Sequence, residues 1–339
     1  MDNVIAVLLF MLGLALLIAG GKLFISGAHQ IALHYRLSEF LMGATVLSIC
    51  TTLPEVMVSS RAAAGGNAGL SYGNAIGSII CNAALIAALT IVLRPAAKVK
   101  PETFSRGTAF FFIAAFFYSA VAWTAGAFDR WAGILLLILF VAFEVVLALY
   151  MKKHHEGGRE KRADKKVEAN VQAEPKIKGK KSKIPWRSVC LLIMGAAAIA
   201  VGARLLVNNG TIIAKALGVP DSVIGLTMVA LGTSLPELIT AIEGRRQGLD
   251  ELWLGNIVGA NVLNLVLVSG MAITISPFAV PAEKTIGGIN SSFVIDMPLM
   301  LLVMAILCLP ALFRSKVMRW QGVLLLCLYV AFTVYQFIS

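Results

Sequence analysis

The sequence predicts an all-α polytopic membrane protein of ten transmembrane helices, arranged as two inverted five-helix repeats with a broken helix in each. Three observations lead there. Mean hydropathy is +0.84 and charged residues make up only 14% of the 339, too few for the solvated surface of a soluble domain. Apolar stretches of about 20 residues, each long enough to cross a hydrocarbon core about 30 Å thick, recur about ten times. Finally, the chain repeats itself. Gly43 to Glu55 (GATVLSICTTLPE) matches Gly225 to Glu237 (GLTMVALGTSLPE) at an offset of 182, and Gly73 to Asn82 (GNAIGSIICN) matches Gly255 to Asn264 (GNIVGANVLN) at the same offset.

The first apolar stretch runs from near Val4 to Ile25. Asp2 precedes it, with neither the basic leader nor the small-residue cleavage site of a signal peptide, so it is expected to remain as a span. Within it Gly20, Lys22 and Leu23 fall opposite Gly202, Arg204 and Leu205 of the second half. Further along, WAGILLLILFVAFEV from Trp131 matches WQGVLLLCLYVAFTV from Trp320 at an offset of 189. The second half therefore carries seven extra residues, expected in the loop around Ser276 to Thr285.

Between the halves, Lys152 to Arg187 holds +8 of the chain's formal +11. This segment lacks apolar periodicity, contains Gly157, Gly158, Pro175 and Gly179, and reads as a mobile linker. The chain divides accordingly into a first five-helix repeat (residues 1–151), a basic cytoplasmic linker (152–186) and a second five-helix repeat (187–339). A charge run beside a membrane span sets orientation and touches anionic lipid, which is the better reading here than nucleic-acid binding. His154 and His155 read as solvated loop residues. The five cysteines, Cys50, Cys81, Cys190, Cys308 and Cys327, have no Cys-x-x-Cys spacing, so neither a disulfide framework nor a zinc site is indicated.

An odd number of spans per repeat makes the second copy enter the membrane from the opposite side. With the linker cytoplasmic, the other inside connections hold His34 and Arg36; Arg94, Lys98, Lys100 and Arg106; Arg245 and Arg246; and Arg314, Lys316 and Arg319. The outside connections hold Arg130, Lys215 and Lys284. That bias predicts a multi-pass protein of the cell membrane with both termini outside.

In each repeat an apolar span is interrupted by Thr51-Thr52-Leu53-Pro54-Glu55 or Thr233-Ser234-Leu235-Pro236-Glu237. Proline blocks the helix before it and suits the first turn of a new one, so each span is expected to break there. Carbonyls freed at Thr51 and Thr233, with nearby hydroxyls, become cation ligands in a polar cavity. A carboxylate at that depth is costly unless a cation or proton neutralises it. Glu55 and Glu237 are therefore expected to converge near the midplane, where a divalent ion turns their repulsion into attraction.

The following span of each repeat supplies Asn82 or Asn264 after a Gly-x-x-x-Gly pattern (Gly73 and Gly77; Gly255 and Gly259) that permits close helix approach. Ser78 lies on the same stretch, opposite Ala260. Two carboxylates, two amide oxygens and two carbonyls match the 6–8 oxygens typical of Ca²⁺. Hard oxygen donors without clustered Cys or His argue against copper or zinc, and Na⁺ accepts the same oxygens in smaller subsets. The bland reading, a tolerated helix kink with its acid paired to a base, fails because two copies occur and no intramembrane base lies near. Glu144, whose repeat partner is Thr333, Asp296 and Glu243 fall outside the symmetric pattern and are not included.

These segments resemble the α-repeats of the Ca²⁺/cation antiporter superfamily, most closely its microbial Na⁺/Ca²⁺ exchanger branch. The resemblance covers nearly all spans and implies ten helices in inverted repeats, alternating access, and long first and sixth spans that slide across the core. Those spans contain Gly20, Gly21 and Gly27, and Gly202 and Gly210. It implies Glu55 and Glu237 as shared cation carboxylates, Thr51 and Thr233 as carbonyl or hydroxyl donors, and Thr52, Ser234, Ser78, Asn82 and Asn264 as secondary ligands. The chain departs from the pattern at Asn264 and Ala260, where some archaeal relatives carry Asp and Ser, and at Cys50, which replaces the glycine of GTSLPE. Its linker is too short for the large regulatory Ca²⁺-binding domains of animal exchangers.

The expected function is antiport of Na⁺ for Ca²⁺, each ion binding the same glutamates in turn, without a prosthetic group or an obligate protein partner. A Ca²⁺/H⁺ or other divalent-cation/H⁺ antiporter stays open, because glutamates also cycle protons. Paired sites speak against a channel. An enzyme lacks support, since His29 and His34 lie near a membrane edge without an HExxH motif or a nucleophile constellation.

Overall fold

A computed structural model describes residues 2–35, 37–94, 97–168, 186–216, 230–282 and 285–338. In the first half, helix α1 spans Asp2–Tyr35, α2 Glu39–Ala64, α3 Ala68–Leu93, α4 Pro101–Ala125 and α5 Arg130–Glu168. In the second, α6 spans Trp186–Ala216, α7 Ala230–Thr233, α8 Leu235–Arg246, α9 Asp250–Ile275, α10 Ser292–Arg314 and α11 Arg319–Ile338. Among the described residues eight helices, α1 to α6 with α9 and α10, are long and apolar enough to cross a membrane. The span expected near Val223 to Glu243 begins outside the described residues, and α11 is a further 20-residue helix. Helix α5 continues past the start of the basic linker to Glu168; residues 169–185, Arg36 and Lys284 lie outside the described set.

Helices α1 and α6 pack antiparallel along a seam of small residues spaced by seven. Gly13 meets Gly202, Gly20 meets Gly195, and Gly27 meets Ser188. A methyl group at Gly20 would sit 2.9 Å from Ala198 Cβ, and one at Gly27 would sit 2.6 Å from the Leu192 nitrogen. Lipid tails are as apolar as leucine, so helices in a bilayer associate through close contact, and glycine permits it. Of the glycines the sequence singled out, Gly20, Gly27 and Gly202 lie in this seam and Gly21 faces Ile239 of α8. Gly13 and Gly195 complete it.

The enclosed centre is made by α2, α3, α8 and α9. Helix α9 crosses α2 at glycines from both sides: Gly43 faces Leu252 and Asn256, Gly255 faces Phe40, and Gly259 faces Ala44 and Ser48. This is the close approach expected of the second Gly-x-x-x-Gly pattern. Gly225, which symmetry would place opposite the first, lies outside the described residues. Helices α4, α5, α10 and α11 flank the centre, with Phe104, Phe111, Phe128, Phe143 and Met304 among the side chains they bury.

The two ends of the bundle differ in character. At one end the Arg94 guanidinium donates to the Arg245 carbonyl at 3.0 Å, and Arg245 donates back to the Arg94 carbonyl at 3.0 Å. Arg245 also pairs with Asp250, Lys100 pairs with Glu251 at 3.0 Å, and Lys98 bridges to Lys316. At the other end β1 (Ala127–Phe128) pairs antiparallel with β2 (Phe278–Ala279), and Arg130 donates to the Thr274 carbonyl at 3.0 Å. The seven extra residues of the second repeat fall at this end, where expected. There β3 (Thr285–Ile286) and β4 (Ile289–Asn290) form a hairpin turning at Gly287-Gly288, with φ of +57° and +82°, a region open mainly to glycine. Exposed Trp123 and Trp131 ring this end and exposed Trp186 and Trp320 the other, as aromatic belts at two membrane faces would.

Because a side chain at position 255 meets the Phe40 backbone, 2.9 Å from its carbonyl carbon, Gly255→Val is expected to cost about 1–3 kcal/mol. Thermal unfolding followed by a thiol-reactive dye, which reads exposure of buried Cys81 and Cys308, should show a lower midpoint; an unchanged midpoint contradicts this crossing.

Candidate ion-binding site

The two Pro-Glu segments adopt different backbones. In the second repeat the helix breaks as expected: α7 ends at Thr233, Ser234 forms a turn, and α8 starts at Leu235 with Pro236 in its first turn. In the first repeat the expected break is absent, and α2 runs on as regular helix from Ser48 to Ala64 with Pro54 inside.

Just upstream in α2, Gly43–Leu47 is a π-helical turn, and the hydroxyls of Thr45, Ser48 and Thr51 donate to the carbonyls of Leu41, Thr45 and Ser48 at 2.7, 3.0 and 3.4 Å. These bonds, with the packing of α2 on α9, hold the helix ahead of Pro54, so it continues with one backbone bond missing rather than breaking. In a continuous helix, the carbonyl that Pro54 leaves without a donor is four residues back, at Cys50. Thr51 faces the centre with its hydroxyl.

Glu55 and Glu237 are both fully buried and lie within electrostatic reach of each other. Around them the repeats are cross-bonded in a symmetric pattern. The Thr51 hydroxyl donates to Asn256 Oδ1 at 3.3 Å, and the Thr233 hydroxyl donates to Asn74 Oδ1 at 3.3 Å. Both pairs obey the 182-residue offset, so each Pro-Glu segment is held by the Gly-Asn of the opposite repeat. The asparagines are anchored at their other ends too. Asn74 Nδ2 donates to the Glu55 carbonyl at 3.2 Å and to Ser59 Oγ at 2.8 Å, while Asn256 Nδ2 donates to Thr240 Oγ1 at 3.0 Å.

A second set of buried polar atoms at the same centre has no protein partner among the described residues. It comprises both carboxylate oxygens of Glu55 and of Glu237, the hydroxyls of Thr52 and Ser234, Oδ1 of Asn82, and both amide atoms of Asn264. An unpaired polar group buried away from water costs about 1–3 kcal/mol, more if charged. Such a cluster in one place marks a site that something else completes. Of the nine residues the sequence singled out, six carry these open atoms, Thr51 and Thr233 contribute hydroxyls to the cross-bonds, and Ser78 is buried on α3.

Asn82 and Asn264 also occupy equivalent backbone. Asn82 lies in a π-helical segment, Cys81–Ala87, and Asn264 opens another, Asn264–Ser269. Such widened turns recur at functional sites because they rotate carbonyls and side chains off the regular helical path. The asparagines themselves differ. Asn82 Nδ2 donates to Asn261 Oδ1 at 3.2 Å, which fixes its amide, whereas Asn264 is held by neither amide atom.

Sequence reasoning passed over Asn74, Asn256, Asn261, Ser59 and Thr240. Asn74 and Asn256 stood in the repeated Gly-Asn pair, and that repetition was the available signal. The three acids left aside lie apart from the cluster: Glu243 pairs with Arg246 at 3.8 Å, Asp296 accepts from Gln336 at 3.4 Å, and Glu144 sits on α5. Among the described residues no three His, Cys, Asp or Glu gather as a metal cluster, so the centre is two carboxylates among neutral oxygens. A cavity of about 20 Å³ opens beside it, lined by Thr51, Pro54 and Pro236 on one side and Phe24, Ala196 and Ile199 of α1 and α6 on the other.

The family model described as "Sodium/calcium exchanger protein" matches residues 5–149 and 187–338, leaving out the basic linker. A membrane protein of Methanocaldococcus jannaschii, MJ0091, is 32% identical over 95% of this chain and 94% of its own length. The sodium/calcium exchanger MaX1 of Methanosarcina acetivorans is 29% identical over 97% and 98%, and the putative antiporter CaxA of Alkalimonas amylolytica is 32% identical over 98% of each. Among solved structures, the sodium-calcium exchanger NCX_Mj soaked with Na⁺ and Sr²⁺ superposes with a TM-score of 0.79 at 29% identity, covering 97% of this chain and 98% of that one.

The two classes of asparagine should separate on substitution. Asn256→Leu removes the amide that ties Thr51 to Thr240 across the repeats and is expected to cost about 1–3 kcal/mol. Asn264→Leu removes an amide with no partner and should leave the unfolding midpoint of ion-free protein equal or higher. Thermal unfolding in chelator-treated buffer checks both, and equal losses would contradict the distinction.

Proposed function

The chain belongs to the sodium/calcium exchanger protein family, and we propose that it exchanges Na⁺ for Ca²⁺ across the membrane at one site shared by its two repeats. It is a secondary transporter and a multi-pass membrane protein. The observation that carries the site assignment is the coincidence of two fully buried, symmetry-related carboxylates with a cluster of oxygens that no protein group satisfies.

The transported ions fit that inventory. Ca²⁺ takes 6–8 oxygens, carboxylates among them, and Glu55 and Glu237 supply up to four. Asn82 and Asn264, Thr52 and Ser234, the Thr51 and Ser78 hydroxyls and the Thr233 carbonyl supply neutral oxygens. Na⁺ requires the same hard donors in smaller groups, so the two ions compete for the same carboxylates. Competition of this kind is what couples their fluxes. Two bare carboxylates facing each other in low dielectric are costly, so a site that has just released its cargo favours reloading over reorientation without an ion.

Alternating access requires an element that covers the site from one side and then the other. Helices α1 and α6 form one packed pair joined by the small-residue seam from Gly13 to Gly27 and from Ser188 to Gly202, and Phe24, Ala196 and Ile199 of this pair line the cavity beside Thr51 and Pro236. Movement of the pair across α2 and α8 would open or close that cavity without breaking the cross-bonds behind it. For orientation, the end that gathers Arg94, Lys98, Lys100, Arg245 and Lys316 is assigned to the cytoplasm by the positive-inside rule. That assignment places residues 152–186 inside and both termini outside, with residues 1–151 and 187–339 as the two inverted repeats.

Reconstituted in vesicles, the protein should take up radiolabelled Ca²⁺ under an outward Na⁺ gradient. Glu55→Gln and Glu237→Gln should each abolish uptake, and transport that survives both sinks the site assignment. Replacing Na⁺ with a pH gradient tests the coupling ion: uptake driven by protons without Na⁺ would make the protein a divalent-cation/H⁺ antiporter instead. Ca²⁺ at about 100 times its Kd should stabilise the wild type by about 2.7 kcal/mol and leave the Gln variants unmoved.

A further inference from the structure

A groove of about 460 Å³ lies between α4 and α10, lined by Phe112, Phe116, Leu301, Leu302, Ala305 and Leu309. These two helices are antiparallel neighbours: Trp123 and Phe293 stack at one end, 5.1 Å between ring centroids, and the Val99 N–H donates to the Ser315 carbonyl at 2.9 Å at the other. Phe116, Leu302 and Leu309 are exposed on the outer surface of the bundle, so the groove opens outward to lipid and not toward the ion site. It follows α10 from Leu301 to Leu309, about 12 Å at helical rise.

An apolar groove inside a bilayer gains nothing from the hydrophobic effect, because lipid tails surround it anyway. What selects an occupant is the chemistry at the groove's ends. Five residues beyond Leu309, about 8 Å along the helix, α10 ends at Arg314, and Lys316 and Arg319 follow at once. All three are exposed, and none forms an ion pair among the described residues. Arg314 donates to Met318 Sδ. The acids at this end are engaged elsewhere: Asp250 with Arg245 and the Lys98 N–H, and Glu251 with Lys100. Among the described side chains Glu39 pairs with His29 and Glu243 with Arg246, and Glu102 is exposed on the first turn of α4.

We propose that this groove and the Arg314–Lys316–Arg319 cluster form a binding site for an anionic phospholipid of the leaflet on that side, its acyl chain in the groove and its phosphate on the cations. Phe112 and Phe116 give the chain a rigid wall, and Ala305 leaves the space between the helices. Three unpaired cations at the membrane surface are enough to prefer a singly charged anionic headgroup over a zwitterionic one by about tenfold or more. A lipid held here bridges α4 of the first repeat to α10 of the second.

Native mass spectrometry of the full chain, released from detergent holding equal phosphatidylglycerol and phosphatidylcholine, tests the site. Wild type is expected to retain phosphatidylglycerol about tenfold over phosphatidylcholine. The triple variant Arg314→Gln, Lys316→Gln, Arg319→Gln should retain both lipids equally, and Ala305→Trp should retain less of either. Na⁺-driven Ca²⁺ uptake in phosphatidylcholine vesicles reports folding of both. Should Ala305→Trp fail to fold, the triple variant, altered only at exposed positions, carries the test by itself. No lipid preference in wild type, or a preference unchanged in the triple variant, overturns the proposal. So does a protein dimer that Ala305→Trp dissociates while bound lipid stays constant.

Discussion

Glu55 and Glu237 sit wholly buried within reach of one another, and among the described residues neither has a basic partner. In water such a pair would be unremarkable; inside a helix bundle surrounded by lipid it is the most expensive arrangement the chain contains. The fold accommodates it by making the surroundings polar without neutralising it. Asparagines, threonines and serines of the same segments surround the carboxylates, and several carry buried atoms without a hydrogen-bond partner among the described residues. Stability given up there is the condition for binding an ion that can also leave.

Holding that arrangement open requires a rigid frame, and the frame comes from the crossing of the two repeats. Thr51 is tied to Asn256 and Thr233 to Asn74, so neither Pro-Glu segment can move away from the opposite repeat without breaking a buried hydrogen bond. Gly43, Gly255 and Gly259 let α2 and α9 approach closely enough for these bonds to form. The α1 and α6 pair lies outside this lattice, joined by its own seam. A fixed centre and a separately packed cover is the division of labour that transport at a midplane site asks for.

The repeats are not perfectly alike, and the differences fall at the site. One Pro-Glu helix breaks at Ser234, while the other continues through Pro54 beside a π-helical turn. Asn82 is pinned by Asn261, whose counterpart in the first repeat is Ile79, while Asn264 is not pinned. Ser78 has Ala260 as its counterpart in the second repeat. A pair of equal carboxylates thus sits among unequal neutral groups.

Much of this was legible in the sequence because it depends on local or periodic quantities. Hydropathy and length decide what can cross a bilayer, and the 182-residue offset exposes both the duplication and the glutamate pair whatever the tertiary contacts. The extra residues between α9 and α10 were likewise placed by counting. The tertiary structure decided which polar residues hold the frame and which stay open: Asn256 and Asn264 are both buried asparagines on one helix, yet only the first has its side-chain amide on a hydroxyl, that of a threonine 205 residues away. It also decided whether a proline breaks its helix, since Pro54 and Pro236 stand in the same motif, yet the first lies inside a continuous helix and the second in the first turn of a new one. Composition and spacing fix what a residue is able to offer. Whether the offer is taken up depends on which atom from a distant part of the chain arrives within about 3 Å of it.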